Sequence, residues 1–151
     1  MTHTEGLSNK MWSTIAKNPG ISEDFIRKYS HKIDCWGAIS SRGNLSHQFI
    51  NEFSNQLDWE MVSSRVDLNE DSIREFADRV DWSYISGYQN LSEDFIREFA
   101  NNVDWSQISA RQRLSETFIR EFADRVDWGE IGYFQNVSTN LFAEFKGVYF
   151  H

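Results

Sequence analysis

The chain has 151 residues, with 15 Lys and Arg against 23 Asp and Glu and a net charge of −8. Its length is that of one domain, and its acidity speaks against a general nucleic-acid binder, which needs a basic stripe. A single cysteine, Cys35, provides neither an internal disulfide nor a cysteine-based metal site, and no run approaches the ~18 apolar residues of a membrane span. Residues 1–11 are polar and read as a loose segment without the pattern of a signal peptide. Cytoplasmic residence is the expectation.

From Trp12 onward the chain repeats itself. Residues 12–20, WSTIAKNPG, match the second half of a unit, with Trp12 and Ile15 standing where Trp82 and Ile85 do. Full units follow over 21–44, 45–67, 68–90, 91–113 and 114–136, then a partial unit over 137–151. Each full unit has 23 residues except the first, which has 24 because Cys35 is inserted between Asp34 and Trp36. All six tryptophans fall on one slot: Trp12, Trp36, Trp59, Trp82, Trp105 and Trp128. A fixed period of this kind is the signature of a stacked array.

Each unit reads as two short helices. In the unit 91–113, Ser92 is a good N-cap, and Glu93 and Asp94 suit the positive end of a helix. Phe95, Ile96, Phe99, Ala100 and Val103 make an apolar stripe at helical spacing. Glu93–Arg97, Glu75–Arg79 and Glu121–Arg125 are spaced for pairs within a helix, worth ~0.2–0.5 kcal/mol each. This helix is expected to end near Asn101–Asn102, where asparagine tolerates a left-handed turn. Asp34, Asp58, Asp81, Asp104 and Asp127 then cap a second, shorter helix that begins at tryptophan. Ser109 to Arg113 reads as a loop to the next leucine. Ser72 departs from the pattern, since its slot holds Phe25, Phe49, Phe95 and Phe118 elsewhere. The missing ring leaves either a weak layer or a space refilled by a neighbour such as Tyr84 or Tyr88.

With these residues in register, Ile15 to Phe25, IAKNPGISEDF, resembles the leucine-rich variant repeat. That repeat stacks an α-helix and a 3-10 helix into a right-handed solenoid. The later units, with LSEDFIREFA and RVDWSYIS, resemble 23-residue repeats in proteins of large DNA viruses and bacteriophages. The resemblance runs from Trp12 to about Phe145 and implies an all-α, right-handed solenoid used for binding. The tryptophan slot is more aromatic than is usual for leucine-rich variant repeats. The cysteine-rich segment that carries their metal cluster is absent, so no cofactor or metal is expected.

No catalytic set emerges. His3, His31, His47 and His151 share no slot, Cys35 has only Lys32 nearby to activate it, and most acids sit at helix starts. A non-enzymatic protein-binding scaffold is the expectation. In a solenoid the invariant slots build the core and the variable ones face partners. Three positions before each leading apolar residue stand Asn18, Arg42, Arg65, Tyr88, Arg111 and Phe134, with Gln89, Gln112, Arg113, Tyr133 and Gln135 beside them. A second variable slot holds Ala38, Met61, Tyr84, Gln107 and Glu130. Arginines and aromatics in a row have the composition of an interaction hot spot. The candidate binding residues are therefore Arg42, Arg65, Tyr84, Tyr88, Arg111, Arg113, Tyr133 and Phe134. The competing account for each is packing against the next unit.

The outer face of the first helices is acidic, with Glu52, Glu75, Asp94, Glu98 and Glu121, although Arg27, Arg74, Arg97 and Arg120 are interleaved. It supplies the alternative reading, an acidic mimic that blocks a basic nucleic-acid groove. The partner expected is a protein of unidentified kind, with neither membrane nor direct nucleic-acid binding. Phe142, Phe145, Tyr149 and Phe150 at the last unit point to a monomer or to weak self-association.

Overall fold

A computed structural model describes residues 8–150. The fold is a helical repeat solenoid, with no strand among the described residues beyond an isolated bridge between Lys146 and Phe150. The first helices of the units are α2 (Glu23–Tyr29), α4 (His47–Glu52), α6 (Glu70–Glu75), α8 (Glu93–Glu98), α10 (Glu116–Glu121) and α12 (Thr139–Phe145). The second helices are α1 (Asn9–Lys17), α3 (Trp36–Ser40), α5 (Trp59–Arg65), α7 (Trp82–Tyr88), α9 (Trp105–Arg111) and α11 (Trp128–Phe134). The second helices pack directly on one another, α1 on α3 through to α9 on α11, as one continuous row. Residues 1–7 of the expected loose segment lie outside the described residues. From Ser8, whose hydroxyl caps α1, the chain is already structured.

Local sequence explains where the helices start. The hydroxyls of Ser22, Ser46, Ser92 and Ser115 accept the N–H three residues on, and Asp58, Asp81, Asp104 and Asp127 each accept two N–H groups of a second helix. The ends differ from expectation. The first helix stops at Glu98, because Phe99 leaves helical geometry (φ −107°, ψ 28°) to place its ring 5.0 Å from Trp82. The N–H groups of Asn102 and Val103 both reach the Phe99 carbonyl, and no described non-glycine residue adopts positive φ, so no left-handed asparagine ends the helix. Packing of the aromatic ring overrides the helical continuation that the apolar spacing suggested. The second helix is the longer, seven residues against six, and it includes Ser109 to Arg111 rather than releasing them as a loop.

Three ladders join the layers. In the first, each tryptophan from Trp36 on lies about 5 Å from the phenylalanine at the C-terminal end of the following first helix: Trp36–Phe53, Trp59–Phe76, Trp82–Phe99, Trp105–Phe122 and Trp128–Phe145. Between them lie the fully buried Phe49, Phe95 and Phe118, the kind of ring whose truncation costs ~3–5 kcal/mol. In the second, the buried hydroxyls of Ser40, Ser63, Ser86 and Ser109 accept the N–H of Asp58, Asp81, Asp104 and Asp127 at 2.8–2.9 Å. Each such serine holds the capping aspartate of the next layer in place. In the third, the Gln89 side chain donates to the carbonyls of Ser63 and Val66 and accepts from Leu68 N–H; Gln112 and Gln135 repeat this one and two layers on. A fixed amide matches backbone groups that otherwise lie buried and unpaired.

Two layers depart from the rule, and each compensates locally. Ala16 takes the serine slot and has no hydroxyl to offer. In the layer it faces, Cys35 is inserted and becomes the N-cap of α3 without a side-chain bond, so Asp34 does not cap that helix as expected. Trp36 Nε1 accordingly donates three residues back, to Ile33, where the later tryptophans reach five back. The second departure is Ser72. Neither Tyr84 nor Tyr88 packs on Ser72: the Tyr84 hydroxyl bonds Glu60, and Tyr88 is exposed. Instead His47 of the preceding unit lies 5.6 Å from the Phe76 ring and shares a 2.8 Å hydrogen bond with Ser72 Oγ. Its Nε2 stands 2.8 Å from Glu75, the carboxylate that would face an arginine if Asn51 were one. At the far end, Tyr149 and Phe150 fold back on Trp128, at 6.2 and 5.2 Å, and cover part of the last aromatic layer.

Candidate protein-binding face

The ten arginines sort into three groups. Arg27, Arg74, Arg97 and Arg120 reach one unit forward, where Nε pairs with Glu52, Glu98, Glu121 and Glu144 at 2.7–2.9 Å. Three of these guanidinium groups also cover a phenylalanine of the next layer: Phe49, Phe95 and Phe118. The adjacent carboxylates hold all four above the ordinary arginine range. Arg42, Arg79 and Arg125 donate to backbone carbonyls of the preceding unit, Arg42 also to Ile21 at the start of its own. Arg65, Arg111 and Arg113 are exposed and form no hydrogen bond or ion pair with any described residue.

This division rearranges the candidate set. Arg42 is half-buried and donates to Ala16 and Ile21, doing in its layer what glutamine does later, because Gly43 occupies the glutamine slot. Its Nε is buried without a partner. Gln89 and Gln112 are buried and Gln135 half-buried in their ladder. The row members Arg65, Tyr88, Arg111 and Phe134 are not loop residues. Each is the last residue of a second helix, so the packed row holds them one layer apart.

These residues line open grooves between layers. Glu60, Met61, Arg65, Tyr84 and Tyr88 enclose ≈440 Å³. Tyr84 donates to Glu60 Oε1 at 3.1 Å, and its ring lies 5.8 Å from that of Tyr88. The carboxylate partner pushes the Tyr84 phenol above its ordinary value. A second groove of ≈500 Å³ runs between Asn90–Ser92 and Arg111–Arg113, and a third of ≈280 Å³ joins Arg111 and Arg113 to Phe134. Tyr88, Tyr133 and Phe134 are 68%, 82% and 54% exposed, and the last two rings touch edge to face at 4.7 Å. Exposed aromatics of this size in a line with unpaired arginines are what a partner surface requires.

The outer face is different in kind. Glu52, Glu98 and Glu121 pair with the forward-reaching arginines, Asp94 with Arg97, and Glu75 with His47. The pairs expected within helices, Glu93–Arg97, Glu75–Arg79 and Glu121–Arg125, give way to these bonds between layers. Glu93 instead accepts from the backbone and hydroxyl of Ser115, and Glu23 does the same at Ser46.

Elsewhere little is assembled for chemistry. Among the described residues no group of three or more His, Cys, Asp or Glu is placed to hold a metal ion, and no helix is long and apolar enough to cross a membrane. Burial, followed by the charge of Asp34, pushes the Cys35 thiol up, the wrong direction for a nucleophile. Sequence reasoning missed the serine and glutamine ladders, although both recur in register across the units. No family model, curated protein or solved structure matches this chain.

Proposed function

We propose that this chain is a non-enzymatic repeat scaffold that binds a protein partner through the ends of its second helices. Arg65, Tyr84, Tyr88, Arg111, Arg113, Tyr133 and Phe134 form the contact surface. The observation that carries this reading is the division of the arginines. Seven have partners within the chain, and the three without one among the described residues all lie beside the exposed aromatics. Desolvated aromatics flanked by guanidinium forks are the usual source of binding energy at protein interfaces.

The partner is a cytoplasmic protein, and a viral or phage origin would make a host defence protein the natural target. The scaffold works as a monomer or self-associates weakly, a reading supported by the tail that partly covers the last layer. The test is capture of partners from a cell lysate by the full chain, followed by mass spectrometry. Arg65→Glu with Arg111→Glu should abolish recovery of the specific partner, whereas Glu98→Gln with Glu121→Gln should preserve it. Recovery unaffected by the arginine reversals would end this reading. The acidic-mimic alternative is the weaker one, because Glu52, Asp94, Glu98 and Glu121 already hold an arginine partner and Glu75 is bonded to His47.

A further inference from the structure

The contact face also carries a register, and from it we infer the kind of segment it receives: an acidic stretch of the partner in the polyproline II conformation. The inference rests on the protein-binding reading above and specifies its ligand. The row alternates in chemistry. Arg65 is followed one layer on by Tyr88, then by Arg111 with Arg113, then by Phe134 with Tyr133. Arg65 shares one groove with Tyr88, and Arg111 and Arg113 share another with Phe134, on second helices that pack successively on one another. Helices packed side by side stand ~8–10 Å apart, which sets the distance between successive row members.

A ligand that follows such a row needs its own side chains on one face at the same repeat. A β-strand returns to the same face every second residue, after ~6.6–6.8 Å, and falls out of step within two layers. A polyproline II segment returns every third residue, after ~9.3 Å, and stays in step along the row. It arrives already extended, so less ordering entropy opposes binding.

Charge complementarity then fixes the pattern. The unpaired arginines call for acidic residues at positions i and i+6, and the exposed rings for apolar residues at i+3 and i+9. Within the first groove the one carboxylate, Glu60, accepts from the Tyr84 hydroxyl, which turns part of its charge away from an incoming acid. Among the described residues no carboxylate pairs with Arg111 or Arg113, so both remain open to an anion from outside.

The test uses fluorescein-labelled peptides of about a dozen residues in a proline-rich background, titrated with the full chain and followed by anisotropy. One peptide carries Glu at i and i+6 and Leu at i+3 and i+9; a second has the same composition with these residues moved to a spacing of two; a third replaces Glu by Lys. The first should bind at least about tenfold tighter than either of the others, and Arg111→Glu with Arg113→Glu should weaken it by a similar factor. Both arginines are exposed and unbonded, so far-UV circular dichroism of that variant should match the parent. Equal binding of the two spacings, indifference to the arginine reversal, or equal displacement by single-stranded DNA of the same charge would each overturn the inference. If no peptide binds while lysate capture still depends on Arg65 and Arg111, the register inference fails and the protein-binding reading survives. If capture too ignores those arginines, both fail.

Discussion

The layer between the units 45–67 and 68–90 gives the sharpest test of the packing logic. Three residues depart from the pattern together: His47 where the other full units carry glutamate, Asn51 where they carry arginine, and Ser72 where they carry phenylalanine. The structure makes them one set, with His47 bonded to Ser72, packed on Phe76 and facing Glu75. Restoring only the ring, Ser72→Phe, forces a phenyl into space the imidazole already occupies. Overpacking of ~1–3 kcal/mol and loss of one hydrogen bond worth ~1 kcal/mol oppose a burial gain of ~2 kcal/mol, so the variant is neutral to about 2 kcal/mol less stable. Restoring all three, His47→Glu with Asn51→Arg and Ser72→Phe, frees the space and rebuilds the arginine–glutamate bond at Glu75. That variant should gain ~2–3 kcal/mol, mostly from the buried ring, with at most ~1 kcal/mol from the exposed ion pair. The triple variant should therefore stand ~2–5 kcal/mol above Ser72→Phe alone, a context dependence expected of residues in direct contact. Urea unfolding followed by tryptophan fluorescence measures it, provided the slope with denaturant stays constant across the set. If Ser72→Phe alone stabilises as much as the triple replacement, His47 does not fill that space and the account of this layer is wrong.

Neighbouring residues on α9 and the loop after it should behave oppositely. Gln112→Leu orphans the carbonyls of Ser86 and Gln89 and the N–H of Leu91, and should cost roughly 3 kcal/mol by urea unfolding, whereas Arg111→Ala should stay within about 0.5 kcal/mol. Ser86→Ala removes the acceptor for Asp104 N–H and should cost about 1–2 kcal/mol, read the same way. Tyr84 has a raised folded value, so its bond to Glu60 contributes fully below the ordinary tyrosine value of about 10 and is lost as pH rises through the raised one. Absorbance titration of the tyrosines should show Glu60→Gln shifting one phenol to lower pH; an unchanged profile would refute the bond. Cys35, held above its ordinary value by burial, should react slowly with a thiol reagent at neutral pH and quickly once the chain is unfolded in urea.

What the sequence made legible was local. The period, the serine and aspartate caps and the aromatic slots follow from residues within a few positions of one another. What it hid is what crosses layers, at separations of 18 to 26 residues: the serine hydroxyls that hold the next capping aspartate, the glutamine amides, and His47 standing in for a missing ring. Gln112 looked like a loop residue because its partners are carbonyls of another unit, and backbone acceptors carry no sequence signature. Arg42 and Arg65 occupied one slot and looked alike. They diverge because Gly43 leaves backbone groups in its layer unsatisfied, while Val66 closes its own layer with an apolar side chain that is 2% exposed. The expected asparagine turn failed for a related reason, since the Phe99 ring must reach Trp82 before the helix has run its apolar spacing out.

The candidate face is separated from scaffold by what stability fails to explain about it. Arg65 and Arg111 end helices, where a cation gains ~0.3–1 kcal/mol from the backbone dipole, so a structural account of those two exists. The same account says nothing about Tyr88 and Phe134, which end the intervening and following helices and leave large apolar rings in water. Nor does it reach Arg113, which lies outside any helix, or Tyr133, the most exposed of the rings. On the outer face every arginine of the repeat answers a carboxylate of the next layer, which binds the units to one another and leaves little charge unmatched. A chain that pairs its charges there and leaves three arginines without a partner among the described residues, beside three exposed aromatics along one row, has concentrated its unsatisfied chemistry where a partner can reach it.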